Sequence, residues 1–256
     1  MSLAFERRDE RTVLASRSHD GPLVVQRPLY PEGAQTCHAI IVHPPGGIAG
    51  GDELTLEVAC ERGAHALLTT PGAGKWYRSG GARAAQALEF RVGGTLEWLP
   101  RETIIFDGAL AELRTSVRLA AGARFIGWEV LCFGRRGSGE QFARGRVSLS
   151  TRIEQAERLL FVEQGELAGG GRLMRSPVGL GGRSVLGTFI ATGAAASAEL
   201  RAAVPELALT ELPGLLTARY LGDSSEEALQ AFTRLWTRVR PLVASRAAVA
   251  PRIWST

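Results

Sequence analysis

Lysine is almost missing from this 256-residue chain: Lys75 is the only one, and arginine supplies the other basic side chains. The net charge is +4 and the pI about 9.4, a balance that by itself would point to an anionic partner. No run of five basic residues exists, however, and the arginines are scattered among carboxylates. That pattern describes a solvated mixed-charge surface and argues against nucleic-acid binding. Cysteine is also scarce. Cys37, Cys60 and Cys132 are odd in number, far apart and without a C-x-x-C pair. This excludes a disulfide framework or a zinc knuckle and predicts reduced thiols in the core. The histidines, His19, His38, His43 and His65, form no H-x-H or H-x-x-x-H pair. No tight zinc or nickel site of the usual kind is therefore encoded locally. No stretch of about 18 apolar residues is present, so no transmembrane helix is expected. The charged residues 1–10 lack the apolar centre of a signal peptide, and the expected location is cytoplasmic.

What the chain does have is apolar content of 45% against 22% charged residues, the proportions of a globular protein. Its apolar segments mostly alternate in the manner of strands, and they repeat. Leu54-Thr55-Leu56-Glu57-Val58 is followed by Gly63-Ala64 and Ala66-Leu67-Leu68. Residues 87–92 are followed by Gly93-Gly94 and Leu96-Glu97-Trp98-Leu99, and residues 113–119 by Gly122-Ala123 and residues 125–130. Each unit reads as strand, glycine turn, strand, with a period of about 30 residues. A fourth, degenerate copy is expected at residues 146–153 and 159–163. Stacked units of this kind predict a mainly β fold, either β-helix-like or two stacked sheets, over a single domain of residues 1–256. The tail differs. Ser197 opens a short helical pattern before Pro205. Ser224-Ser225-Glu226-Glu227 is a capping box for a helix over about residues 225–240, ended by Pro241. Ala228, Leu229, Phe232, Leu235, Trp236 and Val239 form its apolar face. Arg234, Arg238 and Arg240 near its end suit the helix dipole.

Three glycine-rich corners between residues 43 and 107 are the densest concentration of unusual residues. Gly72-Ala73-Gly74-Lys75 looks like part of a phosphate loop, but Thr69 stands where the leading glycine is needed and Trp76 where a hydroxyl is needed. Gly46-Gly47-Ile48-Ala49-Gly50-Gly51 lacks the dinucleotide spacing, and no G-x-S-x-G elbow accompanies it. The carboxylates Asp52, Glu102, Asp107, Glu129 and Glu163 lie at or within apolar strand contexts. A buried carboxylate needs a partner, a proton or a metal, and with so many arginines an ion pair is the plain alternative to a site.

Several separate motifs together resemble one family. They are His43-Pro44-Pro45-Gly46-Gly47 with Gly50-Gly51-Asp52; Thr69-Thr70-Pro71-Gly72-Ala73 with Lys75 and Tyr77-Arg78-Ser79; Leu96-Glu97-Trp98-Leu99-Pro100 with Glu102-Thr103-Ile104 and Phe106-Asp107-Gly108; and Gly127-Trp128-Glu129. In this order, from about residue 20 to Pro251-Arg252-Ile253-Trp254, they are similar to the urease accessory protein D family, also called H. Trp76 and Arg101 depart from the residues frequent there.

The resemblance implies a non-enzymatic scaffold of β-helical topology. It implies binding to accessory protein F, which recruits the GTPase accessory protein G, and docking on apo-urease to help deliver nickel. A dimer within that complex is compatible with it. No tightly bound cofactor is expected, only transient Ni²⁺ in an internal passage of the kind proposed for the family. The residues assigned to that passage are Asp52, Glu129 and Glu163, with His43, Glu102 and Asp107 as further candidates. Ni²⁺ favours imidazole and thiolate over carboxylate, so such oxygen ligands would hold it weakly enough to release. Two other classes compete: a metal-buffering protein, and a small-molecule enzyme using the glycine-rich corners.

Overall fold

The alternating segments become strands that travel back and forth between two sheets. The fold is described here from a computed structural model covering residues 1–255. In chain order the elements are β1 (Ser2–Arg8), β2 (Arg11–Ser18), β3 (Val24–Val25), β4 (Cys37–Val42), β5 (Glu53–Cys60), β6 (His65–Thr69), β7 (Gly74–Trp76), β8 (Ala84–Val92) and β9 (Thr95–Trp98). There follow β10 (Thr103–Ile105), β11 (Leu110–Leu119), β12 (Arg124–Phe133), β13 (Arg146–Gln155), β14 (Arg158–Ala168), α1 (Arg172–Arg175), β15 (Val185–Thr192), α2 (Ala198–Ala203), β16 (Ala208–Leu212), β17 (Leu215–Gly222) and α3 (Ser225–Ala244). The first sheet has the order β14-β13-β11-β8-β5-β1-β2. The second runs β16-β17-β15-β12-β9-β6-β4-β3, with β10 beside β12 and β7 beside β10.

The 30-residue repeat is the rung of this stack. β5, β8 and β11 lie parallel in the first sheet, with Leu56 opposite Leu88 and Leu88 opposite Thr115. β6, β9 and β12 lie parallel in the second, with Ala66 opposite Leu96 and Leu96 opposite Phe125. The turns between them stack as well. Gly63 and Gly122 have φ of 78° and 80°, a left-handed conformation that glycine adopts without strain. A Cβ at Gly94 would collide with the Ala64 carbonyl of the turn below. The fold is therefore mainly β with stacked sheets, a solenoid-like arrangement and a C-terminal helix, as the repeat predicts.

The expected fourth rung is only half formed. β13 continues the parallel stack on β11, but β14 turns back antiparallel on β13 and stays in the first sheet. The turn explains the difference: Ala156 and Glu157 take φ of 47° and 65° in a tight reversal, whereas the earlier turns carry the chain across to the second sheet. The vacated place beside β12 is taken by β15, antiparallel, followed by β17.

Two apolar layers result. Phe5, Val58, Leu68, Phe90, Leu96 and Val117 pack between the sheets. Leu67, Ile126, Trp128, Phe189, Phe232 and Trp236 pack between the second sheet and α3. Cys37, Cys60 and Cys132 are buried free thiols. Half of the capping box forms: Ser224 Oγ accepts from the Glu227 N–H at 3.2 Å, while the Glu227 carboxylate accepts from the Tyr220 O–H at 3.0 Å instead of reaching back to the Ser224 N–H. Ser224→Ala is expected to destabilise the protein by about 1 kcal/mol, read as a shift in the urea midpoint with unchanged slope.

Pro241 does not end the helix, which continues to Ala244 and stops at Ser245 in a left-handed conformation, φ 54°. The proline forfeits one backbone bond, but Val239, Arg240 and Val243 are buried on either side of it, and that burial holds the last turn in place. Arg240 likewise does not serve the helix dipole. Its side chain is 0% exposed, and its Nε donates to Glu97 Oε1 and Oε2 at 2.9 and 3.1 Å. Its Nη1 and Nη2 both donate to Glu32 at 2.8 Å. His65 Nε2 lies 2.6 Å from Glu97, Trp236 Nε1 donates to Glu97 at 2.6 Å, and His38 Nε2 lies 2.6 Å from Glu32. This buried polar network ties α3 to β4, β6 and β9.

Candidate functional site

Alternation along β12 sets the site. Trp128 and Val130 pack into the layer under α3, so Glu129 projects the other way, between the two sheets. Register places Glu129 of β12 opposite Thr188 of β15, and Thr188 opposite Arg219 of β17. In the first sheet Thr115 pairs with Thr151, and Thr151 with Glu163 of β14. Two polar rows, Glu129-Thr188-Arg219 and Thr115-Thr151-Glu163, thus meet inside an otherwise apolar layer. Glu129 lies in the walls of three cavities between the sheets. One of 220 Å³ extends to His43, Gly46 and the Gly72–Gly74 corner. A small one of 50 Å³ is lined by Thr115, Thr151, Glu163 and Thr188. A third of 180 Å³ runs along β14 past Glu163, Gln164 and Glu166.

The two carboxylates are held differently. Glu163 is ion-paired with Arg219, through Nη1 at 3.0 Å and Nη2 at 2.7 Å, and Arg219 Nη1 also donates to Thr188 Oγ1 at 2.6 Å. Glu129 has no hydrogen bond or ion pair among the described residues. Burial, and then the negative charge of Glu163, push its carboxyl up to about 7. The structure therefore carries one more carboxylate than guanidinium at this point.

The other expected candidates lie elsewhere. Asp52 is exposed at its corner, where Oδ2 accepts the Ala49 N–H at 2.8 Å, and it does not join the polar rows. His43 shares the wall of the 220 Å³ cavity with Glu129, and burial lowers its pKa against the pull of Asp52. Glu102 sits 3.7 Å from Arg101 Nε and has one buried oxygen without a hydrogen-bond partner. Burial and the nearby Glu102 push the Cys132 thiol up to about 12. Asp107 is an arginine-paired structural knot: it accepts the Ala143 and Arg144 N–H groups at 3.0 and 2.8 Å and pairs with Arg144 at 2.9 Å and Arg78 at 3.4 Å. Among the described residues, no three His, Cys, Asp or Glu side chains gather as a metal cluster. Lys75 lies in the three-residue β7, and no helix follows it. Among the described residues, no helix is long and apolar enough to cross a membrane.

Sequence reasoning missed Arg219, Thr188, Thr115 and Thr151. The usable signal was the setting of Arg219 between Ala218 and Tyr220, the same polar-between-apolar pattern that singles out Glu129.

Comparison with known proteins places this architecture. The family described as UreD urease accessory protein matches residues 1–255. A urease accessory protein UreD of Azoarcus sp. (strain BH72) is 52% identical, with 100% of this chain and 93% of the relative covered. Its counterpart in Dechloromonas aromatica (strain RCB) is 49% identical over the same shares, 100% and 93%. That of Pseudomonas aeruginosa is 45% identical, covering 100% and 94%. With matches of this extent across a solenoid-like β fold, the chain belongs to the UreD family of urease accessory proteins.

Proposed function

We propose that this chain is a non-catalytic scaffold of urease maturation, acting as one domain, and that nickel ions cross it between the two sheets past Glu129 and Glu163. The observation that carries the reading is Glu129: an unpaired carboxylate, facing Glu163, in the wall of all three inter-sheet cavities. An apolar pair of sheets has no packing reason to keep such a group, because burying a charge without a partner is costly. A divalent cation between two carboxylates would compensate it. Carboxylate oxygens bind Ni²⁺ less tightly than imidazole or thiolate, and a site that must release its ion has to be weak. On this reading the chain works in the cytoplasm with accessory protein F, through F with the GTPase accessory protein G, and docks on apo-urease. Nickel is its cargo, and no resident cofactor is needed.

Glu129→Ala and Glu163→Ala test it. Both variants are expected to fold and to co-purify with the accessory proteins and apo-urease, while the nickel content of the activated urease falls severalfold. Metal analysis of urease beside melting temperature and co-purification decides the matter. A loss of nickel that only follows a loss of stability or of assembly would retire the passage.

A further inference from the structure

The ion pair at the end of the polar rows is built unlike the other internal pair of this molecule. Arg240 and Glu97 are each 0% exposed and locked by further donors. Arg219 and Glu163 are 31% and 40% exposed, and Glu163 lies in the wall of the 180 Å³ cavity. A pair that open to water is weakly held, and its guanidinium can move into solvent without losing hydration. Yet the two guanidinium nitrogens engage both oxygens of Glu163, a fork that an incoming cation has to break to hold that carboxylate through both oxygens. Thr188 Oγ1, accepting from the same Nη1, steers the guanidinium across β15 toward Glu163.

We propose that Arg219 gates the passage: its guanidinium is the resident cation at Glu163, and an incoming divalent metal ion advances from Glu129 by displacing it. The proposal rests on the reading of Glu129 and Glu163 as passage residues and adds its regulation. Two carboxylates and one guanidinium leave a single negative charge uncompensated. A divalent cation held by both carboxylates removes that imbalance and makes the guanidinium redundant. When the ion leaves, Arg219 returns and closes Glu163 against backflow. The exchange is one cation for another at a carboxylate: the guanidinium hydrogen bonds to Glu163 are given up, metal–oxygen coordination takes their place, and no covalent bond of the protein changes.

The test is equilibrium dialysis of the purified chain against NiCl₂ at one fixed pH. Arg219→Gln is expected to tighten Ni²⁺ binding roughly three- to tenfold, since it removes both a competitor and a like charge. The gain should disappear in Arg219→Gln combined with Glu163→Gln, and millimolar methylguanidinium should reverse it in the single variant. Arg219→Lys keeps the charge but loses the fork, so a smaller gain is expected; this variant carries the test if Arg219→Gln does not fold. Unchanged or weaker Ni²⁺ binding in the variant tested, or a gain that persists without Glu163, overturns the gate. Urease loading is read separately. If affinity shifts as expected while Glu129→Ala and Glu163→Ala leave the nickel content of urease unchanged, the passage reading fails and the gating role with it, and only the competition of Arg219 with Ni²⁺ at Glu163 stands. If those two variants lower urease nickel but Arg219 variants leave affinity unmoved, the gate alone fails.

Discussion

Glu97→Ala is expected to lower the unfolding free energy by about 3–5 kcal/mol, because it breaks a fully buried ion pair by removing one partner and leaves the Arg240 Nε–H unpaired. Glu97 is 0% exposed and accepts from His65, Trp236 and Arg240 at once. Burial raises its pKa, but the His65 hydrogen bond and the charges of His65 and Arg240 outweigh that and hold it below the ordinary glutamate value. Removing it leaves Arg240 with Glu32 as its only carboxylate and leaves the Trp236 N–H without an acceptor. Because Trp236 is on α3, its fluorescence should report the loosening directly, alongside urea unfolding. Arg240→Met added to Glu97→Ala should cost less than the two single changes summed, since both partners of the same ion pair are then removed. A loss under about 1 kcal/mol for Glu97→Ala would mean that water reaches the network and that it does not hold the helix.

The second large effect is a pH-dependent gain from Glu129→Gln. The carboxyl of Glu129 titrates near 7 in the folded chain, against 4.5 for an ordinary glutamate. A carboxyl whose folded pKa is raised favours the protonated form in the folded state. Its penalty is therefore absent below about pH 4.5, grows as pH rises, and is complete above about pH 7. Between those limits it amounts to as much as about 3 kcal/mol. Glutamine keeps the shape without the charge. Variant and parent should melt together at pH 4 and diverge by pH 8, with the variant higher, at about 2–4 °C per kcal/mol for a chain of this size. An offset that stays constant across pH would assign the difference to packing instead. Glu32 runs in the opposite direction. Burial alone would raise it, but hydrogen bonds from His38 and Arg240 bring its pKa down to about 2. Its stabilisation is present above pH 4.5 and fades as pH falls toward 2, so the parent protein should lose stability in acid even as the Glu129 penalty vanishes.

The readings that held share a short range. Alternation fixes which face of its own strand a side chain takes, so Glu129 could be set opposite Trp128 and Val130 before any fold was known. The 30-residue spacing of the turn glycines measures one rung, and the Ser224 N-cap is satisfied within four residues. The readings that failed depended on what a neighbour contributes. Pro241 should stop an isolated helix, but the burial of Val239, Arg240 and Val243 carries the helix past it. Arg240 looked like a dipole partner because nothing local announces Glu32, which is 208 residues away in sequence.

By itself, then, the sequence determined the rung, its two strands and turn, the amphipathic helix that covers one sheet, and the family. These follow from periodicity, turn stereochemistry and motif order, all written within a few tens of residues. Only the tertiary structure decided that β14 folds back instead of crossing, that Glu129 stands without a cation while Glu163 has one, and that Asp52 and Asp107 are caps and knots at the corners. Each of those outcomes is set by charges and cavities assembled from strands far apart in the chain, and electrostatic compensation is a property of the space around a group, not of its neighbours in sequence.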